Sequence, residues 1–311
     1  MMKGPQSSGD LRADRRHAYG RDFLARGEPE AAADLFSQAL ELAPDWAAGH
    51  FALAQAREAA GDTAGARAAF ARAGELDPDG ELGAPLHLAR LGATPLPDAP
   101  PEGYVRALFD DYADRFEASL VTALGYTAPT RLAAMIATLR TAPFGRVMDA
   151  GCGTGLAAAA LTEAGGWSRL EGVDLSGEMV ARAASRGVYD ELTVGEVVAT
   201  LRACAGTYDL IIAADLLVYL GDLAPFFAAA SAALAPGSLL ALSIELADAA
   251  EAADGPGWVL RESLRFAHCP GYLTVLAEAA GLALVASEET MLRRDRGLPL
   301  TGFLALFGKP A

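Results

Sequence analysis

Residues 148 to 155 read "MDAGCGTG", three glycines in five positions directly behind an aspartate. Glycine at that density after the apolar run "RVMDAG" marks a backbone bending tightly beneath a ligand. The chain beyond repeats the alternation that such a loop begins. "LAAAALTEAG" reads as a helix, "RLEGVDLS" as a strand and "GEMVARAASRG" as a second helix. "YDLIIAAD", "LLALSIEL" and "GFLALFGKP" read as further strands, and "GYLTVLAEAAGLALVASEETMLR" as helix then strand. The helical stretch "LAPFFAAASAALAPGS" lies between the first two of these. Strands alternating with helices predict an α/β fold, a mostly parallel sheet with helices on both faces. In such sheets ligands bind beyond the carboxyl ends of the strands, where the glycine loop stands.

The loop composition selects among ligands. A dinucleotide fingerprint needs GxGxxG, but after Gly151, Gly153 and Gly155 the third glycine falls one position early, and Leu156 holds the usual place. A phosphate loop needs Gly-Lys-Ser/Thr, and no lysine is near. A carboxylate at Asp149 would repel a pyrophosphate and suits a ligand bearing an ammonium and a sulfonium, which is S-adenosylmethionine. Asp174 ends the second strand nineteen residues beyond Gly155, where a carboxylate reaches two ribose hydroxyls. Glu196 follows a possible third strand and could accept from an adenine amino group, with the Val197 N–H offered to the ring.

The front of the chain repeats itself with a period of 34. Gly27 pairs with Gly61, Ala32 with Ala66, Phe36 with Phe70, Ala39 with Ala73, Leu42 with Leu76 and Pro44 with Pro78. Period and residue types resemble the tetratricopeptide repeat, in which small residues let two helices approach, the Phe fills the gap and the Pro stops the second helix. "ELGAPLHLARLG" reads as a capping third unit, and "GATPLPDAPP" as a proline-rich boundary. The expected domains are therefore residues 1–95, a small all-α repeat domain; 96–103, a linker; and 104–311, the domain with the glycine loop. The repeats could dock a protein partner or associate with another copy of the chain.

With "VMDAGCGTG", "GVDLS", "YDLIIAADLLVYLGDL" and "LAPGSLLALSIE" in this order, residues 104 to 308 resemble a class I S-adenosylmethionine-dependent methyltransferase. "LFDDYADRFEASLVTALGYTAP" and "SLRFAHCPGYL" are similar to the bacterial methyltransferases that carry N-terminal tetratricopeptide repeats, with Leu264 at a usual Gly and Cys269 at a usual Ser. The resemblance implies a Rossmann-like seven-stranded sheet with its last strand antiparallel. It implies Tyr112 and Tyr126 over the cofactor, with Cys152, Leu175, Met179 and Ala213 lining the same pocket. Asp215 could contact the methionine ammonium or the acceptor, or cap the next helix. If the acceptor must lose a proton, His268 and Asp215 are the candidate catalytic bases. Arg265, Tyr272 and Arg293 fall on the substrate side, and "ADAAEAADGPGWVLRESLRFAH" reads as a mobile cover. The expected activity is methyl transfer to a small-molecule or protein acceptor. The competing expectation is a scaffold that senses S-adenosylmethionine without turnover and binds protein partners through its repeats.

Composition bears on partners. A formal net charge of −15 leaves no evident basic face for nucleic acid. Cys152, Cys204 and Cys269 stand singly and form neither a disulfide framework nor a metal pair, so no metal is expected. The N-terminus has no apolar signal core and no apolar stretch is long enough to span a bilayer, which predicts a cytoplasmic protein without membrane contact.

Overall fold

The computed structural model describes residues 7–113, 125–139, 143–163, 166–248, 251–252, 255–295 and 297–311. Two compact units divide the chain between Asp111 and Tyr112. In the first, α1 (Leu11–Ala25), α2 (Pro29–Leu40), α3 (Ala47–Ala59), α4 (Thr63–Glu75), α5 (Ala84–Arg90) and α6 (Glu102–Tyr112) follow one another. Phe36 and Phe70, one period apart, are fully buried with Ala32, Ala66, Ala39 and Ala73 around them. Gly20 explains the close approach of α1 to α2, since a Cβ there would lie 2.6 Å from the Phe36 ring. Gly27 and Gly61 follow α1 and α3 at φ +79° and +81°, the left-handed region that glycine enters without steric cost. The boundary expected at residue 104 falls inside α6. That helix packs on the turn between α4 and α5, where Tyr104 covers Gly83 and Gly103 leaves no room for a side chain against the Asp79 carbonyl.

The second unit contains α7 (Ala128–Leu139), β1 (Phe144–Ala150), α8 (Leu156–Glu163), β2 (Trp167–Asp174), α9 (Gly177–Ser185), β3 (Glu191–Val194), α10 (Val197–Arg202) and β4 (Tyr208–Ala213). It continues with α11 (Ala224–Ala233), β5 (Leu234–Leu246), β6 (Trp258–Leu260), β7 (Phe266–His268), α12 (Pro270–Ala279), β8 (Ala283–Asp295) and β9 (Leu298–Gly308). Strands β1 to β5 run parallel in the order β3-β2-β1-β4-β5, and β9 inserts antiparallel between β5 and β8. These make the expected seven strands with the last one antiparallel. The sheet nevertheless has nine, because β6 and β7 form a hairpin that joins the end of β5 through Glu245↔Ala267 and Leu246↔His268. That hairpin occupies the stretch read from sequence as a cover. Its residues 249–250 and 253–254 lie outside the described ones.

The central strands β1, β4 and β5 and the second half of β9 are buried on both faces, which is why they are apolar almost throughout, whereas β3 and most of β8 are exposed. Phe226, Phe227 and Phe307 dominate one layer, and Leu132, Ile136, Leu161 and Leu170 the other. Strand order reverses between β1 and β4, the switch point at which a doubly wound sheet opens a crevice. The glycine loop, between β1 and α8, lies at the mouth of that crevice.

Candidate functional site

All three loop glycines take left-handed backbone, Gly151 at φ +68°, Gly153 at +52° and Gly155 at +85°. Side chains are excluded twice over. A Cβ on Gly151 would meet Leu216 at 2.9 Å, and one on Gly155 would meet Arg186 at 2.8 Å. The loop is tied to β2 by its own amides: Cys152 N–H donates to the Val173 carbonyl at 2.9 Å and Gly153 N–H to Asp174 Oδ2 at 2.9 Å. The other Asp174 oxygen accepts from Ser176 N–H at 2.9 Å. Asp174 is thus oriented by one backbone amide on each oxygen at the end of its strand.

Asp149 lies beneath the loop, 1% exposed. Burial raises its pKa to about 7, opposed by a hydrogen bond from Tyr189 and helped by the neighbouring Asp174. Cys152 is also buried, and that burial pushes its thiol up, which disfavours the thiolate. Met179, Val197 and Ala213 are buried and Leu175 is half-buried. Glu196 is the N-cap of α10 and accepts from Val198 N–H at 2.8 Å and Ala199 N–H at 2.7 Å, so both its oxygens serve the helix. Tyr126 is buried, and burial holds its hydroxyl well above ordinary ionisation. The ionisable groups acting on it are Asp215, Arg293, Asp149 and Tyr219, which joins the loop to a second cluster. Tyr112 ends α6 at the division between the units, and residues 114–124 lie outside the described ones.

That second cluster is ionic. Asp215 follows β4 with a left-handed φ of 60°, and its N–H donates to Ser243 Oγ at 2.8 Å. Arg293 of β8, 1% exposed, donates through Nη1 to both Asp215 oxygens at 2.7 and 3.0 Å and through Nη2 to Glu245. Glu245, near the end of β5, is equally buried. Arg261 and Arg265 reach Glu245 only at 3.7 Å.

The motif "RFAHCPGY" grips the segment after β4 at successive points. Arg265 Nε donates to Tyr219 Oη at 3.3 Å. His268 Nε2 meets the Gly221 carbonyl at 3.1 Å. Tyr272 Oη donates to Asp222 Oδ1 at 2.8 Å and accepts from Leu223 N–H at 3.0 Å. His268 is fully buried, and burial lowers its pKa to about 4, so it is neutral at pH 7 with Nε2–H donating. Leu264 adopts left-handed backbone at φ 60° in the β6–β7 turn.

Two residues of the site are not among those expected from the sequence. Tyr189 stands in no motif. Glu245 carried a usable signal, a lone carboxylate inside the apolar strand "LLALSIEL". Among the described residues no His, Cys, Asp and Glu group could hold a metal ion, and no helix is long and apolar enough to cross a membrane.

Residues 124–287 match a family model described as a methyltransferase domain, and residues 23–89 match a tetratricopeptide-repeat model. The chain is similar in structure to the 1,6-didemethyltoxoflavin-N1-methyltransferase of Burkholderia thailandensis, crystallised with 1,6-didemethyltoxoflavin and S-adenosylhomocysteine. Identity is 22% over 70% of this chain and 94% of that one, with a TM-score of 0.52. It is similar also to the cyclase SpnF, at 17% identity over 68% of this chain and 98% of that one, with a TM-score of 0.55. At these identities both likenesses are of fold. No curated protein matches the chain.

Proposed function

Because the chain belongs to the methyltransferase-domain family, we propose that its sheet-bearing unit binds S-adenosylmethionine at the carboxyl ends of β1, β2 and β4 and transfers the sulfonium methyl to an acceptor. The fold alone does not carry this reading, since a cyclase shares it. What carries it is one observation: three left-handed glycines within five residues beside two carboxylates at successive strand ends. Such a cradle suits a ligand that lies against backbone and is cationic near Asp149. The B. thailandensis enzyme, whose crystals hold S-adenosylhomocysteine, supports the choice of cofactor.

The cofactor, when bound, supplies a methyl carbon already activated by the sulfonium. The protein's residues then mainly position donor and acceptor. Asp174, held by Gly153 and Ser176, presents its carboxylate to the ribose hydroxyls. Asp149 balances positive charge beneath the loop. Tyr126, buried beside Asp215 and Asp149, excludes water from the crevice. His268, neutral and bonded to Gly221, acts by holding the segment 219–223 in place rather than by taking a proton. Arg293 is committed to Asp215 and Glu245 and ties the ends of β4 and β5 to β8.

The test is to incubate the full chain with S-adenosylmethionine labelled in its methyl group and a metabolite extract. Label is expected on a small molecule or a protein. Label on neither would contradict the proposed transfer.

A further inference from the structure

We propose that the methyl acceptor carries an anionic group, a carboxylate or a phosphate, and that Arg265 binds it. The inference rests on the methyl-transfer reading above and names the acceptor's class.

Three arginines gather where β4, β5 and the β6–β7 hairpin end, and they are not equivalent. Arg293 is sealed in, with Nη1 on Asp215 and Nη2 on Glu245. Arg261 donates to the Leu246 carbonyl at 2.8 Å and to Glu251 at 3.1 Å. Arg265 makes one hydrogen bond, a long one of 3.3 Å from Nε to Tyr219 Oη, and stands 3.7 Å from a Glu245 oxygen that Arg293 already holds. A guanidinium has five N–H donors in a planar fork. Most of those of Arg265 are unused. Its side chain keeps 27% exposure, and none of its nitrogens is among the buried atoms without a partner. The unused edge therefore faces accessible space.

Arg293 and Arg265 together balance the two carboxylates Asp215 and Glu245, but only Arg293 hydrogen-bonds to them, so Arg265 keeps its terminal donors for a ligand. The carboxylates on the other side, Asp149 and Asp174, belong to the cofactor reading. Arg265 is joined to that side through Tyr219, which with Asp149 acts on Tyr126. A planar fork with an open edge, partly desolvated and beside a tyrosine hydroxyl, is built for a bidentate oxyanion. The hairpin that carries Arg265 is the part of the sheet beyond the seven-strand frame, so the acceptor is selected by an addition to the common fold.

The test uses the full chain with benzoate, inorganic phosphate and the neutral isostere benzamide as probes, titrated by calorimetry with and without S-adenosylhomocysteine. The two anions separate a carboxylate site from a phosphate site. Benzoate or phosphate is expected to bind and benzamide not. Arg265→Gln is expected to weaken the anion about tenfold or more, the scale of a lost hydrogen bond to a charged group, and Arg265→Lys to recover part of it. S-adenosylhomocysteine affinity should stay unchanged in both variants, which also reports that they fold. Binding of benzamide equal to benzoate, no binding of either anion, or anion affinity indifferent to both substitutions would overturn the proposal. Failure of S-adenosylhomocysteine to bind would instead contradict the methyl-transfer reading, and the titrations without it judge the anion site on their own.

Discussion

Tyr189 donates its hydroxyl to Asp149 at 2.6 Å, beneath the glycine loop. The tyrosine edge also lies against Gly155 and Gly172, so its position is fixed by packing as well as by the hydrogen bond. Asp149 carries a folded-state pKa of about 7 against an ordinary value of 3.8, chiefly through burial. Between those values the folded chain binds a proton that the unfolded chain has released. The ligand-free protein should therefore lose stability as pH rises from about 4 to 7. A cationic ligand favours the ionised carboxylate. S-adenosylmethionine should then bind more tightly at pH 7.5 than at pH 5.5, with proton uptake by buffer below pH 7. Calorimetry in buffers of different ionisation enthalpy measures both. Tyr189→Phe removes a bond that lowers the pKa, so the rise in affinity should move to higher pH. Asp149→Asn should flatten it.

Asp174→Ala should weaken S-adenosylhomocysteine binding by about 1.5–3 kcal/mol for each charge-assisted hydrogen bond lost, while circular dichroism stays that of the parent. Unchanged affinity would mean that this carboxylate only ties Gly153 and Ser176 together.

Arg293→Met leaves Asp215 and Glu245 without their shared partner in a buried site. Breaking a buried ion pair from one side costs about 3–5 kcal/mol, so urea unfolding should shift by that order. Arg265→Gln, with 27% exposure and one long hydrogen bond, should shift it far less. Equal effects would dissolve the distinction between a structural and an acceptor-facing arginine.

Leu264 holds left-handed backbone, which costs a residue with a Cβ about 1–2 kcal/mol. Leu264→Gly should relieve that strain, offset in part by the greater freedom of glycine in the unfolded chain, for a net gain of up to about 1 kcal/mol. Leu264→Val should be worse than either, because a β-branched side chain tolerates positive φ least. Thermal unfolding of the three proteins gives the order.

Local pattern made most of the fold legible. Period 34 carried Phe36 and Phe70 to the core of the helical unit, and the short apolar runs became β1, β2, β4, β5, β8 and β9. The glycine loop was legible because Gly151, Gly153 and Gly155 are demanded by backbone geometry within five residues. Long-range partnerships were not. Arg293 meets Asp215 across 78 residues, and no periodicity reports on such a pair. His268 reads as a base from its residue type, whereas its burial against Gly221 depends on how β7 lies beside the segment after β4. The β6–β7 hairpin was hidden by its acidic, Gly- and Pro-bearing approach, which reads as loop.

Whether the glycine loop and its two carboxylates hold S-adenosylmethionine is tested by titrating the full chain by calorimetry with S-adenosylhomocysteine and, separately, with NAD. One saturable site is expected for S-adenosylhomocysteine, weakened by Asp174→Ala, and no heat with NAD. Saturable binding of NAD with none of S-adenosylhomocysteine would contradict it.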